Sequence, residues 1–160
     1  MTTLVVDGGV DGYGSSTTTG AALLVDGTTA FTVSGGPIRV TDLISYVIVG
    51  GDSTAATLKW NADGLVGAAT DFTAASSALT SLAAGGVVYC NFTTLATAPV
   101  ITQTAGVALA GPTAATGGGI YVPEGIIKMV IGSGPTVTAT YKHFLRWIPL
   151  ARGVTVTAAF

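Results

Sequence analysis

One histidine, one cysteine and eight carboxylates are the side chains of this 160-residue sequence first to be weighed for acid–base, nucleophilic or metal chemistry. His143 lies in Thr140-Tyr141-Lys142-His143-Phe144-Leu145-Arg146-Trp147. Strand alternation puts it on the side of Tyr141, Leu145 and Trp147, opposite Lys142, Phe144 and Arg146. A histidine in that company reads as a packed or interface residue, and no G-x-S-x-G signal supplies a nucleophile for it. Cys90 sits inside the apolar run Val87-Val88-Tyr89-Cys90-Asn91-Phe92, where a thiol is buried and inert. A single cysteine also excludes an internal disulfide framework and a Cys-cluster zinc site. Asp7, Asp11, Asp26, Asp63 and Glu124 each stand directly before glycine. Turn duty accounts for them, because Asp bonds its own backbone and Gly takes positive φ. A carboxylate pair for glycoside hydrolysis needs only spatial proximity, and nothing in the sequence argues for one.

Three further motifs fall short of a site. Asp7-Gly8-Gly9-Val10-Asp11-Gly12 lacks the regular oxygen ligands and the distal Glu of a calcium loop. Gly117-Gly118-Gly119 has no following Lys and opens no helix, so it is no phosphate-binding loop. Trp60 and Trp147 could line a sugar platform, although tryptophans more often anchor cores or interfaces. No catalytic, cofactor-binding or metal-ligating residue is assigned, no cofactor is expected, and the chain is read as non-enzymatic.

The elements that carry these residues are short β-branched and aromatic runs separated by Gly, Pro, Asn and Asp, the all-β signature. Strands are predicted over Thr28–Val33, Ile38–Val49, Thr57–Trp60, Val87–Phe92, Val100–Thr104, Gly119–Val122, Ile126–Ile131, Val137–Trp147 and Val154–Ala159. A helix could form only over Asp71–Leu82, where Phe72, Ala75, Leu79 and Leu82 share a side, but its Ser and Thr residues limit it to a turn or two. The expected fold is a single antiparallel β-sandwich, jelly-roll-like, with at most one short helix near 71–82. Residues 1–20 are expected to form a flexible Gly/Ser/Thr-rich arm and residues 21–160 the sandwich domain, with Tyr141–Phe160 integral to it.

Composition then narrows the class of function. Only 9% of the residues are charged while 49% are hydrophobic, and 23 are glycine. A soluble domain normally carries about a quarter charged residues, so much of this surface is expected to be buried against other subunits. Ile44-Ser45-Tyr46-Val47-Ile48-Val49 and Ile126-Ile127-Lys128-Met129-Val130-Ile131 are nearly apolar on both faces. A half-exposed antiparallel strand would alternate, so a stable homo-oligomer is expected, most simply a trimer. The net charge of −2 and the scattered Lys and Arg speak against a nucleic-acid partner. Mean hydropathy is +0.66, yet no apolar run reaches the about 18 residues of a membrane span, and the first residues do not read as a signal peptide.

Two segments also carry a resemblance. Phe31-Thr32-Val33-Ser34-Gly35-Gly36-Pro37-Ile38-Arg39-Val40, followed at the end by Leu145-Arg146-Trp147-Ile148-Pro149-Leu150-Ala151-Arg152-Gly153-Val154-Thr155-Val156-Thr157-Ala158-Ala159, resembles small virion proteins of tailed bacteriophages. Some of these are treated as head decoration or cement proteins. The resemblance covers about residues 25–160 and brings no catalytic residues. It implies a structural subunit on the capsid surface of a virion, assembled in the host cytoplasm, whose partners are further copies of itself and the major capsid protein or other virion proteins. Two alternatives stay open: a carbohydrate-binding β-sandwich of a fibre or adhesin, and another virion component of the tail, neck or major shell.

Overall fold

Apolar and polar side chains alternate along most of the body of the chain, and the structure, a computed structural model, realises that alternation as an antiparallel β-sandwich. It describes residues 3–5, 12–17, 24–51, 55–90, 92, 98–102, 119–132, 136–137 and 139–159. Among these there are fourteen strands and no helix: β1 (Thr3–Val5), β2 (Gly12–Thr17), β3 (Leu24–Val25), β4 (Thr29–Ser34), β5 (Ile38–Val49), β6 (Thr57–Gly64), β7 (Thr70–Asp71), β8 (Val87–Tyr89), β9 (Val100–Thr102), β10 (Ile120–Val122), β11 (Gly125–Gly132), β12 (Thr136–Val137), β13 (Thr140–Pro149) and β14 (Thr155–Ala158). The first sheet has the order β1-β14-β4-β11-β6-β7, and the second β2-β13-β5-β8-β9 with β10 also on β5. β3 and β12 form a separate two-stranded ladder.

The order β1-β14-β4-β11 opposite β2-β13-β5-β8 is that of a jelly roll, and its logic is a single long hairpin rolled into two layers. Residues equally distant from the two chain ends pair: Thr3 with Thr157, Thr17 with Lys142, Val25 with Thr136, Phe31 with Ile127 and Val40 with Ile120. Two excursions, β6–β7 and β8–β9, are inserted at the far end of that hairpin and widen one sheet each.

The two layers bury one continuous core. Trp60, Ile127, Met129 and Phe31 of the first sheet meet Trp147, Tyr141, Leu43 and Ile38 of the second, and all eight are fully buried. β11 follows a strict period of two, with Ile127, Met129 and Ile131 inward and Ile126, Lys128 and Val130 half-buried on the outside. Pro149 closes β13 opposite Ile38, at a position where the chain leaves the ladder for a turn.

The two segments that carry the phage resemblance lie side by side. β4 pairs with β14 in the first sheet, β5 pairs with β13 in the second, and both chains cross between sheets at one corner. The crossing is tight: Gly35 has φ 84°, and a Cβ there would stand 2.7 Å from the carbonyl oxygen of Gly153 on the neighbouring crossing. The Leu150 N–H donates to the Pro37 carbonyl and ties the two turns together.

Two stretches take their structure from a neighbouring strand. Residues 71–82, limited by the sequence to at most one short helix, form none and cover the free edge of β6. The Thr73 hydroxyl accepts the Trp60 N–H at 2.9 Å and the Ser76 hydroxyl accepts the Leu58 N–H at 3.0 Å. Ser and Thr thus supply to a strand edge the oxygens that make them poor helix formers. Within the stretch expected to be a flexible arm, Thr3–Val5 pairs with β14 and Gly12–Thr17 pairs with β13. These ladders draw on backbone groups, so they need none of the apolar side chains that the stretch lacks. The remainder of residues 1–20 lies outside the described residues.

Candidate contact surface

The titratable groups of the core come first, because a catalytic site would be built from them. His143 projects inward from β13, and its Nδ1 is 2.9 Å from the Ser45 hydroxyl on β5. The Trp60 ring meets it edge-on at 5.2 Å, and the Tyr141 ring lies parallel to it at 6.1 Å between centroids. Complete burial with no carboxylate beside it drives the imidazole pKa down to about 3, so the ring is neutral at ordinary pH. Its Nε2 has no hydrogen-bond partner among the described residues. Tyr141 is pushed up to about 12, and the buried Cys90 thiol is raised as well, both by desolvation. All three are buried and held in their uncharged forms.

The acids serve the scaffold. Asp26 accepts the Ile131 N–H at 2.9 Å, Glu124 accepts the Gly35 N–H at 3.1 Å, and Asp63 pairs with Lys128 at 2.9 Å. Asp71 takes Lys59 and the Asn61 amide, and these two contacts, Lys59 first, hold its pKa below the usual carboxylate value. Asp7, Asp11, Gly117 and Gly118 lie outside the described residues. Trp60 and Trp147 are fully buried, so neither forms a sugar platform. Among the described residues no three His, Cys, Asp or Glu side chains gather as a metal site would require.

The two outer faces of the sandwich differ sharply in chemistry. The first sheet presents Thr32, Ser34, Thr155 and Thr157 beside the Lys59–Asp71 and Lys128–Asp63 pairs, with Ile126 and Val130 half-buried among them. That is an ordinary wet surface. The second sheet presents a cross-strand row Phe144–Ile44–Tyr89 and beside it Lys142–Tyr46–Val87. Further along β5 stand Ile48 and Val49. Tyr46, Ile48, Val49 and Phe144 are all exposed, and Ile44 and Tyr89 are half-buried. Charge is interleaved with these residues on β13: Lys142 reaches over the Phe144 ring at 5.3 Å, and Arg146 stands 3.8 Å from Asp42.

No family model, no curated protein and no solved structure matches this chain. The reading of its surfaces therefore rests on their own chemistry. Contiguous exposed aromatic and β-branched side chains are what a protein-contact face looks like, whereas isolated exposed apolar residues are unremarkable. The apolar outer row of β5 was legible in Ile44–Val49; the wet outer face of β11 was not, since Lys59, Asp63 and Asp71 come from other segments and carry its charge.

A second apolar region lies at the end of the sandwich where β6 gives way to β7. Leu65 is 74% exposed, Val66 93% and Tyr121 69%. Beside them a cavity of about 250 Å³ opens between β6–β7 of the first sheet and β10 of the second. No sequence pattern announces this feature, because two aliphatic residues in a Gly-bounded loop form no period.

Proposed function

We propose that this chain is a non-enzymatic structural subunit of a virion shell, of the decoration or cement kind found in tailed phages. It would attach to neighbouring shell proteins through the outer face of β13, β5 and β8. The observation that carries this reading is the contrast between the two faces of one sandwich. The first sheet keeps its large apolar side chains half-buried among threonines and two ion pairs, whereas the second leaves Tyr46, Ile48 and Phe144 in water between Lys142 and the Arg146–Asp42 pair. That exposure costs free energy in a lone subunit and is recovered when a partner covers the face. Lys142 and Arg146, on either side of Phe144, suit a partner that sets carboxylates beside its apolar side chains.

The resemblance of Phe31–Val40 and Leu145–Ala159 to phage virion proteins supports the same reading, as does the low charge of the whole chain. Burial and shape do the work of such a subunit, and attachment needs no covalent step. Self-association as a trimer belongs to this proposal as well.

The test is co-sedimentation with isolated capsids that lack the protein. Wild-type chain is expected in the capsid pellet, and Phe144→Glu or Tyr46→Glu in the supernatant, with unchanged melting of both variants. Full retention of both variants by capsids would sink the proposal. A glycan panel separates the carbohydrate-binding alternative, which Tyr121 beside Asp71 favours; saturable binding of a free glycan, lost in Tyr121→Ala, would replace the structural reading.

A further inference from the structure

Turn tips are ordinarily made of Gly, Asn, Asp and Ser, because those residues are content in water and in tight backbone geometry. The tip between β6 and β7 reads Gly64-Leu65-Val66-Gly67-Ala68-Ala69 instead. Its two aliphatic side chains are among the most exposed large apolar residues described. Nor is the tip loose. The Leu65 N–H donates to the Glu124 carbonyl at 2.9 Å, and Gly67 turns the chain back with φ 103°. Pre-ordered apolar side chains lose little entropy when they are bound, which makes a held tip a better anchor than a floppy one.

The cavity beside this tip has matching chemistry. Its walls include Ala62, Ala68, Phe72, Ile120, Val122 and Pro123. An apolar cavity of roughly 150 Å³ is enough for a benzene ring, so about 250 Å³ accepts a pair of branched aliphatic side chains. The one carboxylate on the wall, Asp71, is already engaged by Lys59 and by the Asn61 amide at 2.8 Å. Nothing there asks for a charged ligand. Val66 stands at the rim and, being almost wholly exposed, leaves the cavity open.

We infer that a second copy of this chain docks at this end of the sandwich, the Leu65–Val66 tip of one copy entering the cavity between β6–β7 and β10 of the next. A projection and a recess of the same chemistry, side by side on one chain, form a self-complementary surface, and repetition of the contact closes a ring if the rotation allows it. Tyr121 and Pro123 flank the entrance and supply the rigid apolar collar that excludes water around a buried anchor. This contact rests on the self-association proposed above and gives it a surface; it lies apart from the shell-binding face, so the two surfaces can fail separately.

Sedimentation velocity at micromolar concentration tests it with three proteins: wild type, the tip variant Leu65→Ser, and the cavity variant Thr70→Arg, at an exposed wall residue outside the tip. Wild type should sediment as an oligomer and both variants as monomers with unchanged circular dichroism. Each lost aliphatic anchor should weaken association by roughly tenfold or more. Mixing the two variants is the decisive arm. One retains a cavity and the other a tip, so the mixture should contain a species larger than either component. A monomeric wild type, variants that associate as wild type does, or a mixture no larger than its components would each overturn the inference. So would a monomeric wild type that floats with phosphatidylcholine vesicles through Leu65 and Val66, which would make the tip a lipid anchor. Capsid co-sedimentation of the same proteins reports the second-sheet face independently.

Discussion

Mild acid should destabilise this fold through one residue, His143. The folded-state pKa is about 3, against 6.5 for the unfolded chain, because the ring is fully buried between the sheets. Below pH 6.5 the unfolded chain binds a proton that the folded one refuses, so stability is complete above that value and drains away as pH falls towards 3. The slope is about 1.4 kcal/mol per pH unit, giving a loss of about 2 kcal/mol at pH 5 and about 5 kcal/mol across the whole window. Above pH 3.8 these neighbours add nothing: Tyr141 and Cys90 are raised and stay neutral, and Asp71, whose pKa is lowered, gives up its contribution only below that pH. Urea unfolding at pH 7.5 and pH 5 measures the difference directly. His143→Phe/Ser45→Ala keeps a ring against Trp60 and leaves no hydroxyl stranded, so its stability should be flat between the two pH values. For a chain of this size the wild-type loss corresponds to a melting shift of about 4–8 °C. Equal wild-type stability at both pH values, or an undiminished slope in the double variant, would refute the reasoning.

Other consequences are more local. Trp147→Ala removes one of the largest fully buried side chains and should cost about 3–5 kcal/mol, seen as a lowered urea midpoint; a wild-type midpoint would place this ring outside the core. Ser76→Ala strips the buried Leu58 N–H of its acceptor and should cost about 1–3 kcal/mol, with amide exchange at Leu58 accelerated accordingly. Gly35→Ala forces a side chain against the Gly153 carbonyl at positive φ, so it should lower the melting temperature more than Gly27→Ala, where nothing lies within 4 Å. Equal melting of those two variants would show that the crossing can open without cost.

Much of the sandwich was legible because burial imposes period two on the residues themselves. Ile38–Val49 is β5 to the residue, and the inward side of β13 follows from its spacing alone. What local pattern does not reveal has a different cause. Gly12–Thr17 has hardly any side chain to bury and becomes a strand because β13 offers it a ladder, a fact stored in the partner. Residues 71–82 contain the spacing of a helix, but Thr73 and Ser76 find acceptor work along β6 that no local pattern reveals. The strand order is equally silent in sequence, since any sandwich shows the same alternation. Of the contact surfaces, the row on β5 could be read from Ile44–Val49. The tip at Leu65 and Val66 acquires meaning only when β10 comes alongside it, from more than fifty residues away in the chain.

The rolled-hairpin arrangement also decides how the molecule answers to force. Because Thr3 is laddered to Thr157 and pairing proceeds inward from there, tension applied near those two residues pulls directly on the outermost hydrogen bonds of β1 and β14. Each bond is loaded in turn, as in opening a zip, and no set of bonds shares the load as it would if the strands were dragged lengthwise past each other. A subunit tethered by both ends to a moving support would peel apart at modest tension. The same subunit gripped across the face of β5 and β13, where the longest ladder lies, would have to be sheared and would hold far more. Attachment through a sheet face is therefore also the mechanically sound way to mount this fold under load.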